Sequence, residues 1–380
     1  MGRGRTFALF SEGAGEGERR STCLCSLALL ISLFAFATPA HAEANHGAIA
    51  KATLSNVLRP GYAALAESTR ALEGRVEALC ERPSSDALAQ AKTAFASTVG
   101  SWSKVEIYRF GPVNRDHRYE RLFYWPDPKG LGIRQVQSAL AAKDETVTEA
   151  HTLAKKSVAL QGLPAIEYLL YADGSDALAE GGGDGAFRCR FSAAIARNMT
   201  QLARDIAQDW AENSTFAETF LDPGPRDPLY HAPKEVTLEL FKALSASIES
   251  VRDQKLGKPL GESSERARPR LAAFWRSGLT FSNVVDNLQG VRTLFVEGGF
   301  AAIVAAQSPG VEDSILFDLD RVINVLGALD RPIAEAVSDE VWRAKLEALR
   351  VALKSARETA GDMISRGAGL SFGFNAMDGD

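Results

Sequence analysis

Long apolar runs are scarce in this 380-residue sequence. After residue 42 none approaches the roughly 20 residues that a membrane-spanning helix needs. Cysteine is scarce too, with four residues at 23, 25, 80 and 189; two widely spaced thiols in the body of the chain do not make a thiolate metal site. Histidine occurs five times and never as His-Glu-x-x-His, which excludes the helix-borne zinc-peptidase arrangement. No cluster of Lys and Arg interrupts an acidic balance of −5, so nucleic acid is excluded as the main partner. Nucleophile elbow, dinucleotide fingerprint and phosphate-binding loop are all missing. The glycine run Gly181-Gly182-Gly183-Asp184-Gly185 lacks the Lys-Ser/Thr that such a loop requires. Asn-Gly or Asp-Gly turns flanked by alternating apolar residues are also missing, so nothing argues for β-hairpins.

What is present begins with a leader. Arg19 and Arg20 precede an apolar run from Cys23 to Ala37, and Ala40 and Ala42 supply small residues before a cleavage point. Residues 1–42 therefore read as a cleaved signal peptide and the protein as periplasmic; the residues before Cys23 and Cys25 fit a lipoprotein poorly. Four arginines and three glutamates leave with the leader, moving the net charge from −5 to −6. In an oxidising compartment the remaining Cys80 and Cys189 are expected to form a disulfide, the alternative being two separate buried thiols.

The rest of the chain carries helical periodicity. Leu54, Leu58, Leu65, Leu72, Val76 and Leu79 form one stripe, with Pro60-Gly61 expected to kink it. Ser84-Ser85-Asp86 can cap a second helix whose stripe is Leu88, Ala91, Phe95, Val99, Trp102 and Val105. Residues 109–130 break the pattern as a long loop rich in Pro, Gly and aromatics. Helices are expected at 131–142, 144–159, 164–172 and 187–213, with Pro164 in a first turn. Prolines 223, 225 and 228 mark a linker. Further helices follow at 233–255, 266–277, 279–289, 291–306, 312–328 and 338–365. The predicted fold is all-α: two helix-bundle domains, 43–221 and 229–380, of similar length and helix count, which points to a duplication although no residue-level repeat proves it.

Several segments, in order, resemble the imelysin-like family of exported bacterial proteins linked to iron acquisition. They are Trp102 with Arg109-Phe110-Gly111-Pro112, Arg121 to Asp127, Gly162 to Leu170, Lys255 to Gly261, Phe274 to Gly278, and the ending Gly373 to Asp380. The resemblance implies a two-domain helical fold and a site where the domains meet. It also implies a Gly-x-His-x-x-Glu signature and a metallopeptidase-like activity. Here Gly162 and Glu167 are in place, but Pro164 stands where the signature has His. Proline offers no lone pair, and Glu167 alone cannot hold a catalytic zinc. His117 and Glu120 stand at His-x-x-Glu spacing, in a charged run that reads as solvated surface.

No catalytic residue and no metal ligand set is therefore assigned, and no cofactor, since iron or another metal lacks a complete set of ligands. The expected role is a non-catalytic accessory of iron uptake, its partners being iron-uptake components or a small ligand; the alternative is a metallopeptidase-like hydrolase. Glu167 is expected to point inward and to need cationic donors, drawn from Arg109, Arg115, Arg118, Arg121 or Arg134. Two readings of it stay open, a structural ion pair bracing the loop or a polar ligand pocket. Other ligand-binding candidates are Trp125, Asp127, Arg276, Ser277 and Asn375. Trp102 and Trp125 read foremost as core, Asp127 as a turn brace, Arg276 as satisfying helix-end carbonyls, and the tail from Asn375 to Asp380 as a docked segment.

Overall fold

A computed structural model describes residues 44–370; the leader, its cleavage point and Asn375 lie outside the described residues. The first helix, α1 (His46–Thr53), runs through a wide π turn at Leu54–Leu58 into α2 (Arg59–Glu81). Pro60 falls in the first turn of α2. It has no N–H for the carbonyl one turn back, and the wide turn precedes it where a kink was expected. Then come α3 (Ser85–Val105), α4 (Arg118–Leu122), α5 (Leu131–Ala142), α6 (Ala150–Leu153), α7 (Gly162–Tyr171), α8 (Ala177–Glu180), α9 (Gly183–Asp209) and α10 (Thr215–Leu221). The second half holds α11 (Pro233–Glu249), α12 (Lys258–Leu260), α13 (Thr280–Glu297), α14 (Phe300–Gln307), α15 (Val311–Gly327), α16 (Ile333–Ala336) and α17 (Glu340–Gly367). No strand occurs among the described residues.

The stripes behave as the periodicity requires. Leu54, Leu58, Leu65, Leu72, Val76 and Leu79 are buried, as are Leu88, Ala91, Phe95, Val99, Trp102 and Val105 of α3. Each such leucine removed from water stabilises the fold by roughly 1.5–3 kcal/mol. Ser84 caps α3 by accepting the Ala87 N–H at 3.1 Å. These helices pack with α9 as the core of the first half, and α11, α13, α15 and α17 pack together in the second. The bond between Cys80 and Cys189 joins the end of α2 to α9 with Cα atoms 5.5 Å apart.

The two halves touch where α3 crosses α13. A Cβ on Gly290 would stand 2.3 Å from the Lys104 carbonyl oxygen, so only glycine permits this approach. The expected break at Gly290 is thus corrected: helix α13 runs through it and ends at Glu297, before Gly298 and the positive-φ Gly299. Three other expectations change. Residues 144–159 form short turns around α6, and the loop after residue 109 contains a 3-10 segment and α4. The stretch expected as a helix over 266–277 is a chain of tight turns, with Pro269 opening one of them.

Candidate functional site

Helix α7 begins at Gly162, whose φ is +72°. A side chain there would also meet the Leu122 carbonyl oxygen at 2.3 Å, so this start can be made only by glycine. Pro164 fits the first turn, where its missing N–H costs nothing. One turn on, Glu167 is 4% exposed. Its Oε1 accepts the Ser277 backbone N–H at 2.9 Å and lies 2.8 Å from the Ser277 Oγ. That hydroxyl also approaches the Phe274 carbonyl at 3.2 Å. It has one proton, and the nearer, charged acceptor takes it. Burial raises the Glu167 pKa above the ordinary glutamate value, opposed by the Ser277 bonds and the Arg276 charge.

The segment presenting Ser277 is shaped by a bulky residue in the left-handed region, Phe274 at φ +55°. That conformation costs roughly 1–2 kcal/mol. Stacking of its ring on Phe123, with centroids 5.2 Å apart, and contact with Phe95 at 6.2 Å hold it there. From the first half, Trp125 reaches across and donates its indole N–H to the Leu271 carbonyl at 3.2 Å. The two segments wall a cavity of about 340 Å³, lined on one side by Trp125, Asp127 and Glu167 and on the other by Arg270, Trp275 and Arg276. That volume suits a small molecule.

The loop arginines expected to meet Glu167 are all engaged elsewhere, which corrects that expectation. Arg109 lies over the Tyr119 ring at 4.5 Å. Arg115 and Arg118 pair with Asp209 at 3.2 and 2.6 Å. Arg121 bonds Gln161 and Asn198 at 3.2 and 3.0 Å, and Arg134 caps the Lys129 carbonyl. Glu167 is instead met by donors of Ser277, 110 residues away in sequence. Asp127 lines the cavity while bracing its turn, accepting the N–H groups of Leu131 and Gly132 at 2.8 Å each. Arg276 does not cap a helix. It stacks on Trp275 at 4.3 Å and faces Tyr168 at 5.3 Å. Trp102 is core, and Trp125 is half-buried at the cavity. His117 and Glu120 form a loose surface contact at 3.8 Å, 81% and 49% exposed.

Sequence reading missed Lys258, Arg268, Arg270 and Tyr168 around this cavity. The Trp275-Arg276 pair was a usable signal; the rest depends on how the turns after Gly261 fold back. It also missed a buried network behind Trp125. The Lys255 ammonium is 2.7 Å from Glu106 and 2.7 Å from the Asn283 amide oxygen. Asn283 donates to Ser103 Oγ at 2.7 Å, and Asn287 donates to Glu106 at 3.0 Å. Burial lowers the Lys255 pKa, and Glu106 opposes the shift. This network pins the tip of α3 to α13 and to the turn after α11.

The residues around Glu167 do not fit a resident metal ion. Its carboxylate is committed to Ser277, Asp127 to a helix start, and among the described residues no three His, Cys, Asp or Glu converge.

Comparison with known proteins gives one family match, the imelysin profile, over residues 58–360. The chain is 22% identical over 246 residues to Iron-regulated protein A of Synechococcus elongatus, covering 64% of this chain and 62% of that protein. An imelysin-like protein from Psychrobacter arcticum superposes with a TM-score of 0.69 at 18% identity, over 87% of this chain and 97% of that one. A second solved structure, from Parabacteroides distasonis, gives 0.71 at 13% identity, over 84% and 95%.

Proposed function

The chain belongs to the imelysin family, and we propose that it is an exported, periplasmic binding protein that serves iron uptake without catalysing a reaction. The observation that carries the reading is the Glu167 pocket. A buried carboxylate is held there by neutral donors at the edge of a cavity that both halves of the chain wall. A purely structural carboxylate of this burial would be closed in by cations at ion-pair distance, whereas the Arg276 guanidinium acts on Glu167 only from beyond that distance and is stacked on Trp275. Support for iron comes from the name of the Synechococcus relative, which speaks of iron regulation. Pro164 at the signature position and the commitments of Glu167 and Asp127 weigh against the metallopeptidase-like alternative.

The test uses the native host. Deleting the gene, or replacing it with the Glu167→Gln or Ser277→Ala variant, is expected to slow growth when iron is withheld and leave growth in iron-rich medium unchanged. Fractionation is expected to recover the protein with the periplasm. Normal iron-limited growth of the deletion strain overturns the reading. Peptide cleavage by purified protein that disappears in Glu167→Gln would restore the hydrolase.

A further inference from the structure

The charge around the cavity runs against the charge of the chain. The whole protein carries −5. Yet Lys258, Arg268, Arg270 and Arg276 line one cavity with only two carboxylates, Asp127 and Glu167. Both carboxylates are already occupied by N–H and O–H donors of the protein. The cations are less committed, although the Arg276 charge acts on Glu167. Among the described residues Arg276 has no carboxylate at ion-pair distance and lies flat on Trp275 at 4.3 Å. Arg270 approaches the same ring at 5.6 Å. Lys258, Arg268 and Arg270 are exposed at the rim, while Arg276 is half-buried. A guanidinium laid on an aromatic face keeps its edge donors available, and that edge matches an oxyanion in two-point geometry.

The remaining lining is flat and apolar. Trp125 and Trp275, Tyr124 and Tyr168, Phe123 and Phe274 supply aromatic surface, and Pro126, Pro128 and Pro164 supply rigid ring faces. Trp125 is held in place by its bond to Leu271 and by stacking on Phe123 at 5.9 Å. Tyr168 is held by a bond from Gln137 to its hydroxyl at 2.9 Å. Walls fixed in this way select a planar body better than a flexible chain.

Resting on the reading of this cavity as a ligand site, we propose that its ligand is an organic oxyanion on a planar aromatic body, its charged group met by Arg270 and Arg276 and its ring received among Trp125, Tyr168 and Trp275. A bare cation is the opposite of what this lining selects.

The test is calorimetric titration of the purified full-length exported protein with three probes sharing one ring: 2-naphthoate, 2-naphthalenemethanol and protonated 2-naphthylmethylamine. The carboxylate is expected to bind once per chain, about tenfold or more tighter than the ammonium, and to weaken as salt is added. Arg276→Gln and Arg270→Gln are each expected to weaken naphthoate by about three- to tenfold, more than either weakens the neutral alcohol. Should Arg276→Gln fail to fold, the exposed Arg270 keeps the test available. The proposal is overturned by equal or tighter binding of the ammonium, by no saturable binding of naphthoate, or by undiminished affinity in the arginine variants. An iron-limited growth defect in Glu167→Gln together with preference for the ammonium would remove the ligand class and leave the site. Naphthoate preference without any growth defect would support the ligand class and remove the iron role.

Discussion

Replacing Glu167 by glutamine separates a pocket carboxylate from a structural ion pair. Glutamine keeps the shape, and its amide oxygen can still accept the Ser277 N–H and O–H that Glu167 holds at 2.9 and 2.8 Å. Hydrogen bonds to a charged group stabilise by about 1.5–3 kcal/mol and neutral ones by about 0.5–1.5, so the two bonds together weaken by about 2–3 kcal/mol. Against that, a charge no longer has to be held at a site 4% exposed, and its desolvation cost is of similar size. The net change at neutral pH is expected to be about 1 kcal/mol or less, a shift in melting temperature of roughly 1–2 °C. A carboxylate locked to buried arginines would instead cost about 3–5 kcal/mol on neutralisation. The pH dependence decides more sharply. Burial raises the Glu167 pKa above its ordinary 4.5, so the folded protein holds this proton more tightly than the unfolded chain. The stabilisation this gives is complete below pH 4.5 and is lost as pH rises through the folded value. Glutamine has no such dependence. The stability of the unaltered protein minus that of Glu167→Gln is therefore expected to grow as pH is lowered from neutrality toward 4.5, other carboxylates cancelling in the difference. Urea unfolding followed by circular dichroism across that range measures it. A difference that shrinks on acidification would be the mark of an ion-paired carboxylate and would refute the assignment.

Two further predictions concern the frame around the pocket. The Cys80–Cys189 bond spans a sequence separation of 109; replacing both cysteines by serine is expected to remove about 4–5 kcal/mol. Unfolding measurements check this, and non-reducing mass spectrometry of exported protein that finds two free thiols contradicts it. Glu106→Gln leaves Lys255, 2% exposed, without its counter-charge, and is expected to cost about 3–5 kcal/mol, much of it recovered when Lys255→Met is added. With its folded pKa depressed, the lysine destabilises most when protonation is forced, so the deficit of Glu106→Gln should shrink as pH rises toward 10.5. A loss below about 1 kcal/mol at neutral pH would refute the role given to the network.

The helical stripes were legible because they need only local spacing, and every leucine named in the first of them is buried. The cysteine pair was legible from its count and from the expected oxidising compartment. Glu167 was legible as an inward carboxylate, but its partners were not. Ser277 and Arg276 are brought to it by the left-handed Phe274 and by packing on Phe123, none of which has a sequence period. Gly290 shows the same limit. Read locally it looks like a helix breaker, whereas its purpose is visible only once the Lys104 carbonyl stands 2.3 Å from where a Cβ would be. The turns at 266–277 misled for a related reason: apolar residues at helical intervals there serve the cavity wall and its supports.

That wall belongs to one half of the chain and Trp125 to the other, so a ligand of the proposed site would act as a clasp between them. A molecule seated there gains contacts only while both sides are folded and in place, and mass action then raises the melting temperature by an amount set by its concentration. At a hundred times its dissociation constant the gain is about 2.7 kcal/mol, several degrees for a chain of this size. A ligand for the proposed site can therefore be sought without an assay for any activity, by heating the protein with pooled host metabolites and looking for a fraction that delays its collapse.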